Sequence, residues 1–177
     1  TMFSGEAGVY DKSFADKLSL KVLTAWSRKN YQHPDNNIRR VLGKFHSKNS
    51  SILFTTSYEK QLGNFDLKAY AAGGEIEESV IDTSSRKYNW AGDYIEREPG
   101  NAKGELFQRR SYMIMTDKVL RSNIGIDYSL TNNHGFSLSI NQDYLHRTGK
   151  DKVNDFNRSY ESPNYINKNM LGAAYNF

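Results

Sequence analysis

The sequence contains no cysteine, only three prolines, and no long uninterrupted apolar segment. The missing cysteine excludes disulfide bonds and thiolate metal sites within this chain, although it does not identify a cellular compartment. No apolar run approaches the roughly 18 residues that a membrane-spanning helix requires. Twelve tyrosines, nine phenylalanines and two tryptophans favour β-strands over disorder.

Strong charge of one sign is also missing. The formal net charge is +4 over 177 residues, and charges of both signs are intermixed, so we expect no nucleic-acid partner. The mean hydropathy of −0.75 is typical of a water-soluble protein. Membrane β-barrels share such averages, because half of each strand and all the loops are polar. No secretion signal is recognisable at Thr1, so we expect a mature chain or a piece of one.

The clearest pattern lies in residues 122–145. Apolar and polar residues alternate from 123 to 130 and again from 136 to 144, a period of two that only an extended strand produces. The five residues between them are turn formers and include Gly135, so we predict a β-hairpin.

Shorter alternating runs predict further strands at residues 17–26, 51–59 and 65–73, with a last strand ending at Phe177. Residues 1–15 lack a clear period. Gly73 and Gly74 are expected to end the third run, and polar stretches at 27–49, 75–117 and 146–166 are predicted to be long loops. Within them, residues 38–45 have helix-like spacing that fits a short helix or a strand extension equally, and residues 112–115 could extend a strand.

The connections therefore run long, short, long, short, long. In an antiparallel sheet this places every short turn at one end and every long loop at the other, as in outer-membrane barrels. Aromatic residues at the two ends of the apolar face resemble interfacial girdles. Phe65, Phe136 and Phe177 are predicted at the short-turn end; Trp26, Tyr58 and Tyr144 are predicted toward the long loops. A soluble antiparallel sandwich would give the same alternation.

We predict an all-β fold, an antiparallel up-and-down transmembrane β-barrel, with a single barrel region over residues 1–177 and no recognisable plug or linker. The apolar side chains would face lipid, and the polar ones would face a wet interior. The predicted lipid-facing residues are Leu18, Leu20, Val22, Phe65, Leu67, Ile124, Ile126, Tyr128, Leu130, Phe136, Leu138 and Ile140. Those predicted to face inward include Lys17, Lys21, Asp66, Lys68, Asp127 and Asp143.

Three segments resemble the barrel region of TonB-dependent outer-membrane receptors, particularly those of Bacteroidetes. They are residues 121–130 (Arg-Ser-Asn-Ile-Gly-Ile-Asp-Tyr-Ser-Leu), residues 133–141 (Asn-His-Gly-Phe-Ser-Leu-Ser-Ile-Asn) and residues 162–175. The likeness is best from about residue 119 to residue 177. It implies location in the bacterial outer membrane and import of a scarce nutrient such as a glycan or siderophore. The implied partners are membrane lipid, the rest of the receptor with its plug, the TonB energy-coupling complex and a surface lipoprotein.

The strand count favours a segment of a larger barrel. About six strands are clear, whereas a closed membrane barrel needs roughly eight or more. Either residues 1–10 and 106–115 supply two more, giving six to eight in this chain, or the missing strands lie outside it, which we prefer. The terminal aromatic Phe177 favours the first possibility, because outer-membrane proteins commonly end on an aromatic residue.

No residue set predicts an enzyme, a metal site or a cofactor. There is no nucleophile elbow and no phosphate-cradling glycine loop. The four histidines are scattered. Asp151, Asn154 and Asp155 have loose calcium-like spacing but lack the glycine and glutamate of a calcium loop, so a solvated loop is the preferred interpretation.

The best ligand-binding candidates are aromatic and cationic residues in the longest loop. An exposed aromatic ring offers a flat apolar surface to a ligand, and neighbouring cations can bind carboxylates or sugar hydroxyls. The candidates are Arg86, Tyr88, Trp90, Tyr94 and Arg97. The alternative is that these aromatics pack the loop against itself. For the whole chain, the alternatives to nutrient import are a small closed barrel with a structural or adhesive role and a soluble carbohydrate-binding sandwich.

Overall fold

The computed structural model describes residues 1–31, 44–96, 103–107, 109–131, 133–154 and 161–177. This part of the chain is all-β, and it holds no helix long and apolar enough to cross a membrane. The strands are β1 (Met2–Lys12), β2 (Ala15–Asn30), β3 (His46–Leu62), β4 (Phe65–Asp82), β5 (Arg86–Tyr88), β6 (Tyr94–Glu96), β7 (Ser111–Thr131), β8 (His134–Asp151) and β9 (Asn164–Asn176).

Seven of these strands form one antiparallel sheet in the order β1-β2-β3-β4-β7-β8-β9. Each strand pairs with its neighbour in the chain, except that the small hairpin β5–β6 is inserted between β4 and β7. Among the described residues, β1 and β9 are edge strands with one partner each, so the sheet is open. The predicted all-β fold is confirmed, and the seven strands lie within the six to eight expected.

Short turns lie at one end of the sheet and long connections at the other. The tight connections join β1 to β2, β3 to β4, and β7 to β8, and Gly63 has the left-handed φ of 60° that the second of them requires. The long connections join β2 to β3, β4 to β7, and β8 to β9. The predicted loop asymmetry is confirmed. The position predicted for Tyr58 is wrong, since it lies near the short-turn end, shortly before the chain reverses after Leu62.

The strands are longer than the sequence predicted. Residues 2–12, which lack a clear period, form β1, and β4 continues through Gly73 and Gly74 to Asp82. Parts of the predicted loops at 75–117 and 146–166 belong to β4, β7 and β8. The reason is that backbone pairing continues where apolar and polar residues no longer alternate regularly, so the sequence pattern does not mark the strand. Residues 112–115 do extend β7. Most of the possible helix at 38–45 lies outside the described residues.

The register places the predicted hairpin residues opposite one another. Ile124 pairs with Ile140, Ile126 with Leu138, and Tyr128 with Phe136. The same rows continue across the other strands, so eleven of the twelve residues predicted to face lipid share one side of the sheet, called the apolar face from here on. The twelfth, Leu130, lies in a register irregularity between Ser129 and Thr131.

Buried apolar side chains are few, and most lie near the long connections. Phe45, Ile81, Met113 and Ile114 are buried there, and the ring of Phe45 contacts the ring of Phe107 with a centroid distance of 5.6 Å. Over the rest of the described sheet, neither face is covered by a second layer of protein.

Candidate functional site

Much of the apolar face is exposed. Along β8, Phe136, Leu138 and Ile140 are 52%, 43% and 50% exposed, whereas the intervening Ser137 and Ser139 are partly buried. Eight of the twelve residues predicted to face lipid are exposed large hydrophobic side chains. A contiguous apolar surface of this kind marks a site of contact with another protein or with a membrane.

Aromatic pairs mark the short-turn end of this surface. The ring of Phe65 lies 4.6 Å from that of Tyr128, and the ring of Phe136 lies 4.9 Å from that of Tyr175. Toward the long connections, Trp26 packs against Phe3 with ring centroids 5.4 Å apart. Aromatic side chains therefore border the apolar surface at both ends.

The polar face carries a ladder of cross-strand contacts. Arg121 donates to Asp143 at 2.7 Å, and the Asn123 amide donates to Asn141 at 2.7 Å. Lys68 lies 2.6 Å from a carboxylate oxygen of Asp66 on the same strand and 3.9 Å from one of Asp127 on β7. All six residues predicted to face inward are on this side of the sheet, according to the register. Most of these charges are partly exposed, so each pair contributes little to stability.

A row of apolar side chains crosses the polar face and was not predicted. Leu23, Leu53, Val119, Leu145 and Ile166 stand in adjacent register positions, with Gly74 completing the row. Most of the row lines a cavity of about 550 Å³, whose lining also includes Tyr70, Arg121, Asp143 and Lys168. Adjacent apolar residues in the sequence, such as those at 119–120 and 144–145, could have revealed the row, since neighbours in a strand point to opposite faces.

The hairpin β5–β6 brings together three of the five predicted ligand-binding residues. The Tyr88 and Tyr94 ring centroids are 5.8 Å apart, and the Arg86 guanidinium carbon lies 4.2 Å from the centre of the Tyr94 ring. Trp90 is apart from them at the tip of the hairpin and is 59% exposed. Arg97 lies outside the described residues. The hairpin therefore presents both an exposed indole and a cation stacked on a ring.

Two buried carboxylates fix the loop segments around the base of this hairpin. Asp82, at the end of β4, accepts hydrogen bonds from the backbone amides of Glu105, Leu106 and Phe107 at 2.5–2.9 Å. Glu105 in turn accepts from the amides of Lys44 and Phe45 at 3.0–3.1 Å. Both acids are fully buried, and burial raises the pKa of Glu105 despite these donors.

Asp151 has a comparable structural role at the end of β8. It accepts hydrogen bonds from the Ser111 hydroxyl and from the amides of Tyr112, Val153 and Asn154. Burial alone would raise the pKa of Asp151, but these hydrogen bonds outweigh it and lower the pKa. The carboxylate that resembled a calcium ligand in the sequence thus binds backbone amides. Asp155 lies outside the described residues, and those described include no cluster of three or more histidine or acidic side chains able to hold a metal ion.

Comparison of the chain with models of known protein families, with curated proteins and with solved structures finds no match.

Proposed function

We propose that this chain forms part of the wall of an outer-membrane β-barrel. The observation that carries the proposal is a single-layered sheet with exposed large apolar side chains on one face, while most of the ion pairs between sheet residues lie on the other. In water this arrangement is unfavourable, at about 25 cal/mol for each Å² of apolar surface left exposed. In a bilayer it is the arrangement required of a barrel wall.

The dimensions of the apolar surface support the same proposal. In β4 it runs from Phe65 to Gly73, close to the roughly nine to eleven residues that cross the hydrocarbon layer at a tilt. The rest of β4 carries the sheet beyond this surface toward the long connections. In an outer-membrane barrel that end faces the cell exterior.

The open edges support a segment of a larger barrel rather than a small closed one. An unpaired strand edge cannot remain in lipid, because each unsatisfied backbone group costs several kcal/mol. Side chains on the apolar face continue to both edge strands, with Val9 on β1 and Leu171 on β9. Further strands at both edges would satisfy these groups. A soluble sandwich fits less well, since it needs a second layer over the apolar face.

The type of barrel rests on the sequence resemblance alone. On that basis we propose a TonB-dependent receptor that imports a scarce nutrient such as a glycan or siderophore. Its partners would be membrane lipid, the remaining barrel strands, a plug, the energy-coupling complex and a surface lipoprotein. No enzymatic activity is proposed.

Arginine substitution on the two faces of β8 tests the barrel proposal. Ile140→Arg places a charge on the apolar face near the middle of the apolar surface, at an expected cost of about 2–4 kcal/mol. Ser139→Arg places the same charge on the polar face and should be tolerated. We expect the outer-membrane level of the protein to fall with Ile140→Arg only. Equal levels for the two variants, or a larger loss with Ser139→Arg, would contradict the proposal.

A further inference from the structure

A polar pocket of about 290 Å³ lies where β4 ends and the hairpin β5–β6 begins. It is separate from both faces of the sheet. Three segments distant in sequence build it: one before β3, one between β4 and β6, and one before β7. Its lining residues are Lys44, Thr83, Ser84, Ser85, Arg86, Glu96 and Arg110.

The lining combines cations with hydroxyl groups. Three of the seven side chains are cationic and one is acidic, while three carry a hydroxyl. The acidic one, Glu96, has a carboxylate oxygen 3.7 Å from Arg86 Nε, so it offsets part of one cation's charge. The remaining charge is positive, and the hydroxyls can donate hydrogen bonds to a bound group.

The two guanidinium groups are held in place with hydrogen-bonding capacity left over. Arg86 is oriented by stacking on Tyr94, and its backbone amide donates to Ser84 Oγ at 3.3 Å. Arg110 donates from Nη2 to Ser85 Oγ at 3.3 Å. Its Nε is buried and has no hydrogen-bond partner among the described residues. A buried donor without an acceptor is unfavourable, and a bound acceptor would relieve this.

Two buried carboxylates hold the backbone that lines the pocket. Glu105 binds the backbone amide of Lys44 and also interacts with the Ser84 hydroxyl, so one buried side chain fixes two parts of the lining. Asp82 fixes the backbone around Glu105. Both buried carboxylates are thus occupied by protein donors, which leaves the cations to set the preference of the pocket.

From these contacts we infer that the pocket binds an oxyanion group, namely a carboxylate, sulfate or phosphate carried by a soluble ligand. Guanidinium groups bind such groups through paired, charge-assisted hydrogen bonds. The Tyr94 ring, on which Arg86 stacks, offers an apolar surface beside the pocket and pairs with the Tyr88 ring. An acidic sugar, which has an apolar ring face and a carboxylate, fits this combination. Membrane insertion is not required for this binding, because loops and the small hairpin build the pocket.

Calorimetric titration of the full chain in a nonionic detergent tests the inference. The probes are glucuronate, inorganic phosphate and neutral glucose. We expect saturable binding of the two anions and none of glucose. Arg86→Gln and Arg110→Gln should each weaken anion binding about tenfold, the effect of losing one charge-assisted hydrogen bond. Lys12→Gln, at the opposite end of the sheet, removes the same charge and should leave binding unchanged. Glu96→Gln should strengthen it several-fold, since it removes the competing carboxylate.

A second arm separates a soluble ligand from a lipid headgroup. The titration is repeated in phosphatidylcholine vesicles with and without phosphatidylglycerol. Unchanged glucuronate affinity supports a soluble ligand, while competition by the anionic lipid would overturn that part of the inference. Absence of anion binding by the unmodified chain, or an equal loss in the Lys12→Gln variant, would overturn the site itself. If the Arg110→Gln variant does not fold, the result for Arg86→Gln decides whether the site exists, because Arg86 is exposed.

Discussion

At the residue scale, buried carboxylates organise the end of the sheet with the long connections. Glu105 and Asp151 each accept hydrogen bonds from several backbone amides near the long connections, and both lie beyond the apolar surface. Their pKa values nevertheless shift in opposite directions. For Glu105 the cost of burying a charge dominates, and for Asp151 the hydrogen bonds to the charged form dominate.

This difference predicts opposite pH dependences for two neighbouring regions. A raised pKa means that the folded state binds more protons, so the docking of Lys44 and Phe45 should weaken as pH rises above 4.5, the ordinary value for Glu105. A lowered pKa means the reverse, so docking around Tyr112 and Val153 should weaken as pH falls below 3.8, the ordinary value for Asp151. Hydrogen-exchange protection factors, corrected for the intrinsic pH effect, measure both.

The matched variant for this test is Glu105→Gln, which cannot ionise. It should remove the pH dependence at Lys44 and Phe45 and leave that around Tyr112 intact. If protection at Lys44 instead increases between pH 4.5 and neutrality, burial does not determine the direction of the Glu105 pKa shift.

At the element scale, the centre of the sheet depends on two consecutive glycines in β4. A side-chain carbon at Gly73 would lie 2.9 Å from the carbonyl oxygen of Val119, and one at Gly74 would contact the carbonyl oxygen of Ile52. The flanking strands therefore approach β4 more closely than any other residue would permit. This explains why the pair continues a strand rather than ending it.

Alanine substitution in two strands tests this role. Gly74→Ala should destabilise the sheet by about 1–3 kcal/mol, because the new carbon must displace backbone atoms of β3. Gly125→Ala is the matched control, since a side-chain carbon there meets no atom within 4 Å. Its effect should be within about 0.5 kcal/mol. Denaturant unfolding in detergent measures both, and similar losses for the two variants would argue against a steric role for Gly74.

Hydrophobic alternation in the sequence predicted some of the strands and missed parts of others. Alternation identified the β7–β8 hairpin and the short-turn ends of four other strands, because there one face is apolar and the other polar. It failed from Glu75 to Asp82 and through β1, where backbone pairing rather than side-chain polarity defines the strand. At the loop end, Arg86 and Tyr94 were predicted as ligand-binding candidates. The roles of Asp82 and Arg110 were not, since contacts 23 residues or more apart leave no local pattern.

At the scale of the whole molecule, the two faces of the sheet require different surroundings. A single layer with an exposed apolar face, polar contacts behind it and open edges is incomplete as a soluble domain. With lipid on one side, a wet interior on the other and further strands at both edges, each surface has a suitable environment. The long strands then carry the acid-supported loops and the oxyanion pocket away from the bilayer.

Fluorescence quenching at two adjacent positions of β7 tests this claim most directly. The chain has no cysteine, so Ile126→Cys and Asp127→Cys each give a single labelling site for bimane on opposite faces. In proteoliposomes, we predict that brominated acyl chains quench the label at 126 and that aqueous iodide quenches the label at 127. Quenching of both labels by iodide, with none by brominated lipid, would contradict a lipid-facing apolar surface.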